Sequence, residues 1–392
     1  MSLSQNYPTT RPTLTLDFAK AKRVDPRVTF TRASTATYFD ASGTLRSAAD
    51  NAPRIDFDPA TLACRGLLVE EQRANLLLQS EDFATTWSSI SGGAGVSPVV
   101  TTDVAVAPNA TNTADEVIFD AGGTTSSDFS YISQSYSSVS GTSYAISIWA
   151  KTTSGTAAIF VDCESQNSNV VTVTTSWQRF TFVRLSATTT TRTARIGVRG
   201  GTGTDQSATV LLWGAQLEAG AFPTSYIPPT TTSLTRSADV ASVTTLSPWY
   251  NQAQGTFFFA FNTAATTSGA NLWETQQTST SAERIEIGVS SAGVFNPRVV
   301  SGGAATVSLT VSTYSFGTTG KIAFAIQPTN YAASFNSATP ITSSDADAPA
   351  TQEILYLGCR NGNSVFLNGY IQRIAYYNTR LPNAQLQALT AP

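Results

Sequence analysis

The 392-residue sequence contains no histidine. That absence removes Ser-His-Asp and Cys-His catalysis, histidine-ligated zinc and a histidine pH switch together, because each needs an imidazole. Any enzyme built on this chain is left with carboxylate, tyrosine or lysine chemistry. Cysteine is scarce too. Cys64, Cys163 and Cys359 lie far apart, are odd in number and fit neither a zinc spacing nor a disulfide framework. They read as small apolar residues placed in a core. Charge is thin, at 12% of residues against a globular norm of roughly 25%. No basic stripe stands out of a net charge of −3, so nucleic acid is not expected as a partner. No apolar run approaches the roughly 20 residues that span a bilayer, so no membrane insertion is expected. The opening "MSLSQNYPTTRPTLTLDF" has neither the basic start nor the apolar stretch of a secretory signal, and synthesis in a cytoplasm is expected.

What is present is material for β-structure. Hydrophobic residues make up 41% and aromatics 10%, enough for real cores, with Ser, Thr, Asn and Gln standing where charge would otherwise be. Short runs alternate apolar and polar residues with a period of two: "TLTLDF", "RVTFT", "YAISIWAKTT", "SWQRFTFVRL", "TARIGVRGG" and "ERIEIGVSS". Glycine-, Ser- and Thr-rich turns separate them, and Asn361-Gly362 is a strong hairpin signal. The runs "SATVLLWGAQLEAG" and "GTFFFAFNT" are nearly continuous, as in a strand covered on both faces. The spacing predicts an all-β chain. A small N-terminal β region, residues 1–75, would precede two antiparallel β-sandwich (jelly-roll) domains, 76–230 and 231–392, with stiff Pro228-Pro229 near their boundary. One short helix is expected at the C-terminus, where Pro382 suits a first turn.

Three stretches carry a resemblance. The segment with "LDFAKAK", "VTFTRASTATYFDASGTL" and "PRIDFDPATLACRGLLVEEQRANLLLQSEDF", covering most of residues 14–83, resembles the front of certain bacteriophage structural proteins. "NLLLQSEDFATTW", "SYAISIWAKTT", "TSWQRFTFV" and "LLWGAQLEAGAFPTSYIP" look like successive strands of jelly-roll carbohydrate-binding modules. "SLTRSADVASV", "SPWYNQAQGTFFFAF" and "LNGYIQRIAYYNTRLPNAQLQAL" look like a concanavalin A-like, or laminin G-like, lectin domain of the kind appended to phage fibres. The resemblance implies a virion protein, of a tail fibre, spike or head fibre. Its N-terminal region would attach it to the particle and its sandwiches would display a non-catalytic surface for host glycans. The implied partners are other virion proteins, a homotrimer of this chain and a bacterial surface glycan. In that fold the terminal helix would set Leu386 and Leu389 on the open end of the sandwich. The alternatives are a capsid or tail decoration protein making only protein contacts, and a glycan depolymerase.

Sugar binding needs flat aromatic faces and polar groups that fork onto hydroxyls. Tyr131, Tyr136, Trp273, Arg360 and Asn361 are the candidates for such contacts. Trp249 and Tyr250, after Pro248, read as a hydrophobic plug or a subunit contact. Trp149, Trp177 and Trp213 read as core packing. Asp345 and Asp347 in "SSDADAPA" offer oxygen ligands for calcium, though two carboxylates in a loop more commonly face water; no cofactor is expected. The carboxylate pairs Asp56 and Asp58, Glu70 and Glu71, and Glu283 and Glu286 are the positions a glycosidase would draw on. That chemistry requires two carboxyls about 5–9.5 Å apart across a cleft.

Overall fold

A computed structural model of the chain describes residues 7–163, 169–264, 269–348 and 350–392. Half of the Thr-rich patch at 263–270 therefore lies outside the described residues, as do Glu164 and Ser165 of the run "AAIFVDCES". The chain is all-β, about half strand, with its longest helix at Asn383–Leu389. None of the described helices is long and apolar enough to cross a membrane.

Instead of three regions, the chain divides into two compact units. One joins Met1–Gly43 and Ala48–Gln72 to Ser237–Pro392; the other joins Thr44–Ser47 to Arg73–Arg236. The strands of the N-terminal region are woven into the C-terminal sandwich. Leu14–Asp17 pairs with Gly369–Tyr377, Leu14 opposite Tyr376 and Leu16 opposite Ile374. Cys64–Val69 pairs with another part of the same strand, and Thr29–Thr31 pairs with Val240–Val243. The physical reason is burial. Leu14, Leu16, Phe18, Leu67 and Val69 are too few to form a core alone, and all are sequestered in the core of that sandwich.

The first unit stacks two sheets. One runs Ile341–Ser343, Tyr331–Phe335, Gly320–Ile326, Gly255–Thr263, Gly369–Tyr377, Cys64–Val69, Ile55–Phe57 in spatial order. The other runs Thr29–Thr31, Val240–Val243, Ile354–Leu357, Ala270–Gln276, Arg284–Val289, Val294–Ser301, Ala304–Ser308. "GTFFFAFNT" is covered on both faces as its composition requires. Phe257, Phe259 and Phe261 point into the core between the sheets, and Phe258 and Ala260 point the other way. There they meet the terminal helix. Leu386 and Leu389 pack on Phe258, Ala260, Ala323, Ala325, Ala332 and Ala375. The helix therefore lies on the outer face of a sheet rather than on the sandwich end, because a floor of alanines leaves room for it there. Pro382 is its N-cap, with no side-chain cap.

Charge is buried where the N-terminal strands join this unit. Asp239 accepts from Arg32 Nη1 (3.1 Å), from Arg54 Nη2 and from the Glu70 backbone N–H (2.9 Å). Arg54 also pairs with Glu70 Oε2 at 2.8 Å, and these side chains have almost no exposure. Burial alone would lower the pKa of Arg54; the Asp239 and Glu70 carboxylates outweigh it and raise it. Asp56 is different. Burial pushes its pKa up to about 6, against the Phe39 N–H and Arg65, which favour the charged form. A carboxyl with a raised folded-state pKa binds its proton more tightly folded than unfolded. Its favourable contribution is complete below pH 3.8 and is lost as pH rises through about 6. A shift of about two units corresponds to roughly 3 kcal/mol at most. Asp56→Asn keeps an acceptor for Phe39 N–H and carries no charge. Its melting temperature relative to the parent should rise between pH 4 and 7; a difference flat across that range would contradict the assignment.

The second unit is a five-on-five sandwich. One sheet runs Gln178–Leu185, Ser143–Lys151, Ser207–Ala219, Ala114–Asp120, Val96–Ala105; the other runs Val170–Val173, Ala157–Asp162, Thr190–Arg199, Phe129–Ser138, Ser88–Gly92. Their facing residues, among them Val117, Phe119, Ile132, Ile146, Ile148, Ile159 and Ile196, form the core. Entry and exit of the chain pair as Arg73–Asn75 with Leu234–Arg236. Asn75 is fully buried at this knot. Its Nδ2 donates to the carbonyls of Ala215 and Ile227 (3.0 Å each), and its Oδ1 accepts from Leu77 N–H (3.1 Å) and Leu217 N–H (3.0 Å).

Candidate functional site

Strand Phe129–Ser138 alternates, sending Ile132 and Tyr136 into the core and Phe129, Tyr131 and Ser133 to the opposite face. Its neighbour Thr190–Arg199 sends Ala194, Ile196 and Val198 inward and leaves Arg195, Gly197 and Arg199 on that same outer face. Register then assembles a surface. Phe129 lies opposite Arg199, Tyr131 opposite Gly197 and Ser133 opposite Arg195. On the next strand Phe160 lies opposite Gly197 and Asp162 opposite Arg195. The Phe129 and Tyr131 rings, both half-buried, stack with centroids 5.2 Å apart and planes 25° apart. Phe160 meets Tyr131 edge-on at 6.1 Å.

Two glycines make this platform possible. A Cβ on Gly92 would fall 2.4 Å from the Phe129 ring, and one on Gly197 would fall 2.4 Å from Tyr131 Cβ. Guanidinium groups frame the rings: Arg199 sits 5.2 Å from the Phe129 centroid and Arg195 5.5 Å from that of Tyr131. Arg195 is held by a buried pair with Asp162 (2.8 Å), while its Nε has no hydrogen-bond partner among the described residues. The outer face therefore sets half-buried ring surface beside a buried Ser133 and a buried guanidinium fixed by Asp162.

The first unit has a second polar face, on the outside of the sheet that carries Trp273. Glu274 lies opposite Glu286, and Glu286 opposite Arg298. Three arginines converge on Glu286: Arg298 Nη2 at 2.7 Å, Arg360 Nε at 2.9 Å and Arg284 Nη2 at 3.4 Å. Asn271 Nδ2 adds a fourth donor at 3.2 Å. Burial would raise the pKa of Glu286, but Arg360, Arg298 and Arg284 outweigh it and the net shift is downward. Glu274 moves the other way. Burial raises its pKa first, the Asn361 backbone N–H (3.1 Å) opposes this, and the neighbouring Glu286 charge adds to the rise.

The residues singled out in the sequence fall in different places. Tyr131 is on the aromatic platform. Tyr136, an odd number of residues further on, is on the opposite side, in the core with its hydroxyl donating to Cys163 O. Trp273 is in the core as well. A bulge between Asn271 and Trp273 turns both Leu272 and Trp273 inward, so Trp273 presents no ring to the outside. Arg360 and Asn361 belong to the charged face, in the other unit from Tyr131. Trp249 packs edge-on against Tyr376 and Tyr250, inside the core of its own unit. Trp149 and Trp213 are buried, but against Tyr226 on the outer face of their sheet rather than in the sandwich core. Trp177 is half-exposed under Lys151, its Nε1 donating to Val106 O. Asp345 and Asp347 are exposed, and no cluster of three metal-ligating side chains occurs among the described residues. Phe129, Arg195 and Asp162 were missed, as were Glu274, Arg284 and Arg298. The period-two spacing of Phe129 and Tyr131 was the available signal.

Members of the three carboxylate pairs are held by arginines or backbone N–H groups. Arg65 pairs with both Asp58 (2.7 Å) and the buried Asp56 (3.6 Å). Glu70 is held in the Arg54 network. Glu283 accepts from the backbone of Gly302 and Ala350, away from the arginine-bound Glu286.

No family model and no curated protein matches this sequence. Among solved structures, the chain is similar to the Ruminococcus gnavus IT-sialidase CBM40, with 15% identity and a TM-score of 0.33 over 36% of this chain and 84% of that one. Trypanosoma rangeli sialidase is matched at 10% identity and a TM-score of 0.33 over 38% of this chain and 25% of that one. The leech intramolecular trans-sialidase is matched at 14% identity and a TM-score of 0.32, over 36% and 23%.

Proposed function

We propose that this chain is a non-catalytic virion protein that binds carbohydrate through the Phe129–Tyr131 face of its second unit. The observation that carries the reading is the stacked pair of half-buried rings beside a guanidinium fixed by a buried carboxylate. A pyranose presents C–H groups on one face and hydroxyls around its rim, and this surface supplies a partner for each. The resemblance of residues 14–83 to phage structural proteins supports the virion role. The engagement of Asp58, Glu70 and Glu286 by arginines supports a binding rather than a hydrolytic role. Several copies on one particle would turn weak single sites into useful avidity.

A glycan array of bacterial polysaccharides probed with the purified chain tests the sugar reading. Tyr131→Ala should keep the melting temperature within a few degrees and weaken any hit by about tenfold, the loss of one aromatic anchor of about 1.4 kcal/mol. Binding unchanged by this substitution would remove the platform from the account. Antibody labelling of intact particles tests the virion role. A second reading, a decoration protein with protein contacts alone, is favoured by one feature. Val96, Val99, Val104 and Ile118 are exposed on the edge strand Val96–Ala105 and its neighbour, where another subunit of a homotrimer would find apolar surface. An empty glycan array with a trimer in solution would favour it.

A further inference from the structure

The charged face of the first unit has more polar capacity than its own contacts use. Three guanidinium groups face one ionised carboxylate, Glu286, and a second carboxyl, Glu274, whose ionisation burial and Glu286 oppose. The local balance is positive by one to two charges. The arginine side chains are 16–29% exposed, so solvent-borne groups reach them. Arg298 Nε has no hydrogen-bond partner among the described residues, while Arg284 Nε is ion-paired with Glu274 Oε2 at 3.6 Å. Two acceptors in the same place, Asn271 Oδ1 and Asn361 Oδ1, also lack a hydrogen-bond partner among the described residues. Asn271 is fully buried, where leaving a polar atom without a partner is costly. Tyr356, half-buried, lies opposite Glu274 on the adjoining strand.

Donors for an anion beside acceptors for hydroxyls define a narrow ligand class. A metal ion would take the acceptors but meet three arginines. A neutral sugar would leave the surplus positive charge uncompensated. We propose that this face binds an acidic sugar, its carboxylate seated on Arg298 and Arg360 and its neighbouring hydroxyls donating to Asn271 and Asn361. Guanidinium matches carboxylate geometry with two parallel hydrogen bonds, which an ammonium cannot reproduce. This site is separate from the Tyr131 platform and does not depend on it.

Calorimetric titration of the full chain tests the assignment. The probes are oligogalacturonate, hyaluronan fragments and oligosialic acid, each also in carboxyl-reduced form, together with inorganic phosphate. At least one acidic oligosaccharide should bind, and its carboxyl-reduced form should bind at least tenfold more weakly. Arg360→Lys keeps the charge and the ion pairing that Glu286 needs, yet should weaken binding about tenfold. Tyr131→Ala should leave this binding unchanged. The proposal is overturned if no acid binds, if acidic and reduced forms bind alike, if phosphate competes at equal concentration, or if folded Arg360→Lys binds as the parent does. Loss of the acid's binding on Tyr131→Ala alone would also overturn it, moving the site to the platform. Loss of the Tyr131-dependent array hits alone would leave it standing.

Discussion

Replacing Asp239 by alanine should destabilise the first unit by roughly 3–5 kcal/mol, the cost of removing one partner from a buried ion network. Asp239 is the carboxylate shared by Arg32 and Arg54, and it also accepts the Glu70 N–H. Without it Arg54 retains Glu70, while Arg32, a buried charge, loses a carboxylate and is left with carbonyl acceptors that include Ser34 and Ala49. Equilibrium urea unfolding would measure the loss. Hydrogen exchange by mass spectrometry would locate it: peptides from 14–72 and from 237–392 should lose protection together, while those from 73–236 stay protected. By contrast, Arg27→Ala removes an exposed pair with Asp25 and should cost under about 1 kcal/mol. A change in Asp239→Ala as small as that would contradict the buried network.

Asn75→Ala should produce the complementary pattern. Four buried backbone groups lose their partner at once, two carbonyls and two N–H groups. Each unsatisfied group costs about 1–3 kcal/mol before relaxation and entry of water, so a total of roughly 4 kcal/mol is expected. Asn75→Asp should do no better, since it keeps an acceptor for the two N–H groups but replaces the donating amide with a buried charge facing two carbonyls. Here exchange should accelerate in peptides from 73–236 and stay unchanged in 237–392. Loss of protection across the whole chain, or a cost below 1 kcal/mol, would contradict the role of Asn75 as the knot of the second unit.

These two residues also mark where sequence reading ends. Alternation in "YAISIWAKTT" or "ERIEIGVSS" depends on neighbours two positions apart, so strands and the all-β class were legible. The sandwich partners of residues 14–17 lie at 373–376, and nothing local encodes a pairing over that separation. The N-terminal strands were therefore read as their own region. Arg32, Arg54 and Asp239 look like surface charges in one dimension, because burial is set by the network that only the fold assembles. Parity separated Tyr131 from Tyr136, and that was visible in the spacing. The bulge that turns Trp273 inward was not, since an extra residue in a ladder has no fixed signature. Glu286 was noticed at the centre of an alternating strand, but of its arginines only Arg284 is on that strand; Arg298 and Arg360 come from two other places in the chain, and its pairing with Glu274 from a register.

Chemical-shift mapping by TROSY NMR of the labelled chain, titrated with a glycan that scores on the array, tests the functional account most directly. A sugar ring seated on the platform should move the backbone amides of Gly92, Gly197 and Tyr131, with the Arg195 Nε–H signal shifting alongside them. Shifts confined to the loops or to other strands, with those four signals unmoved at saturation, would contradict it.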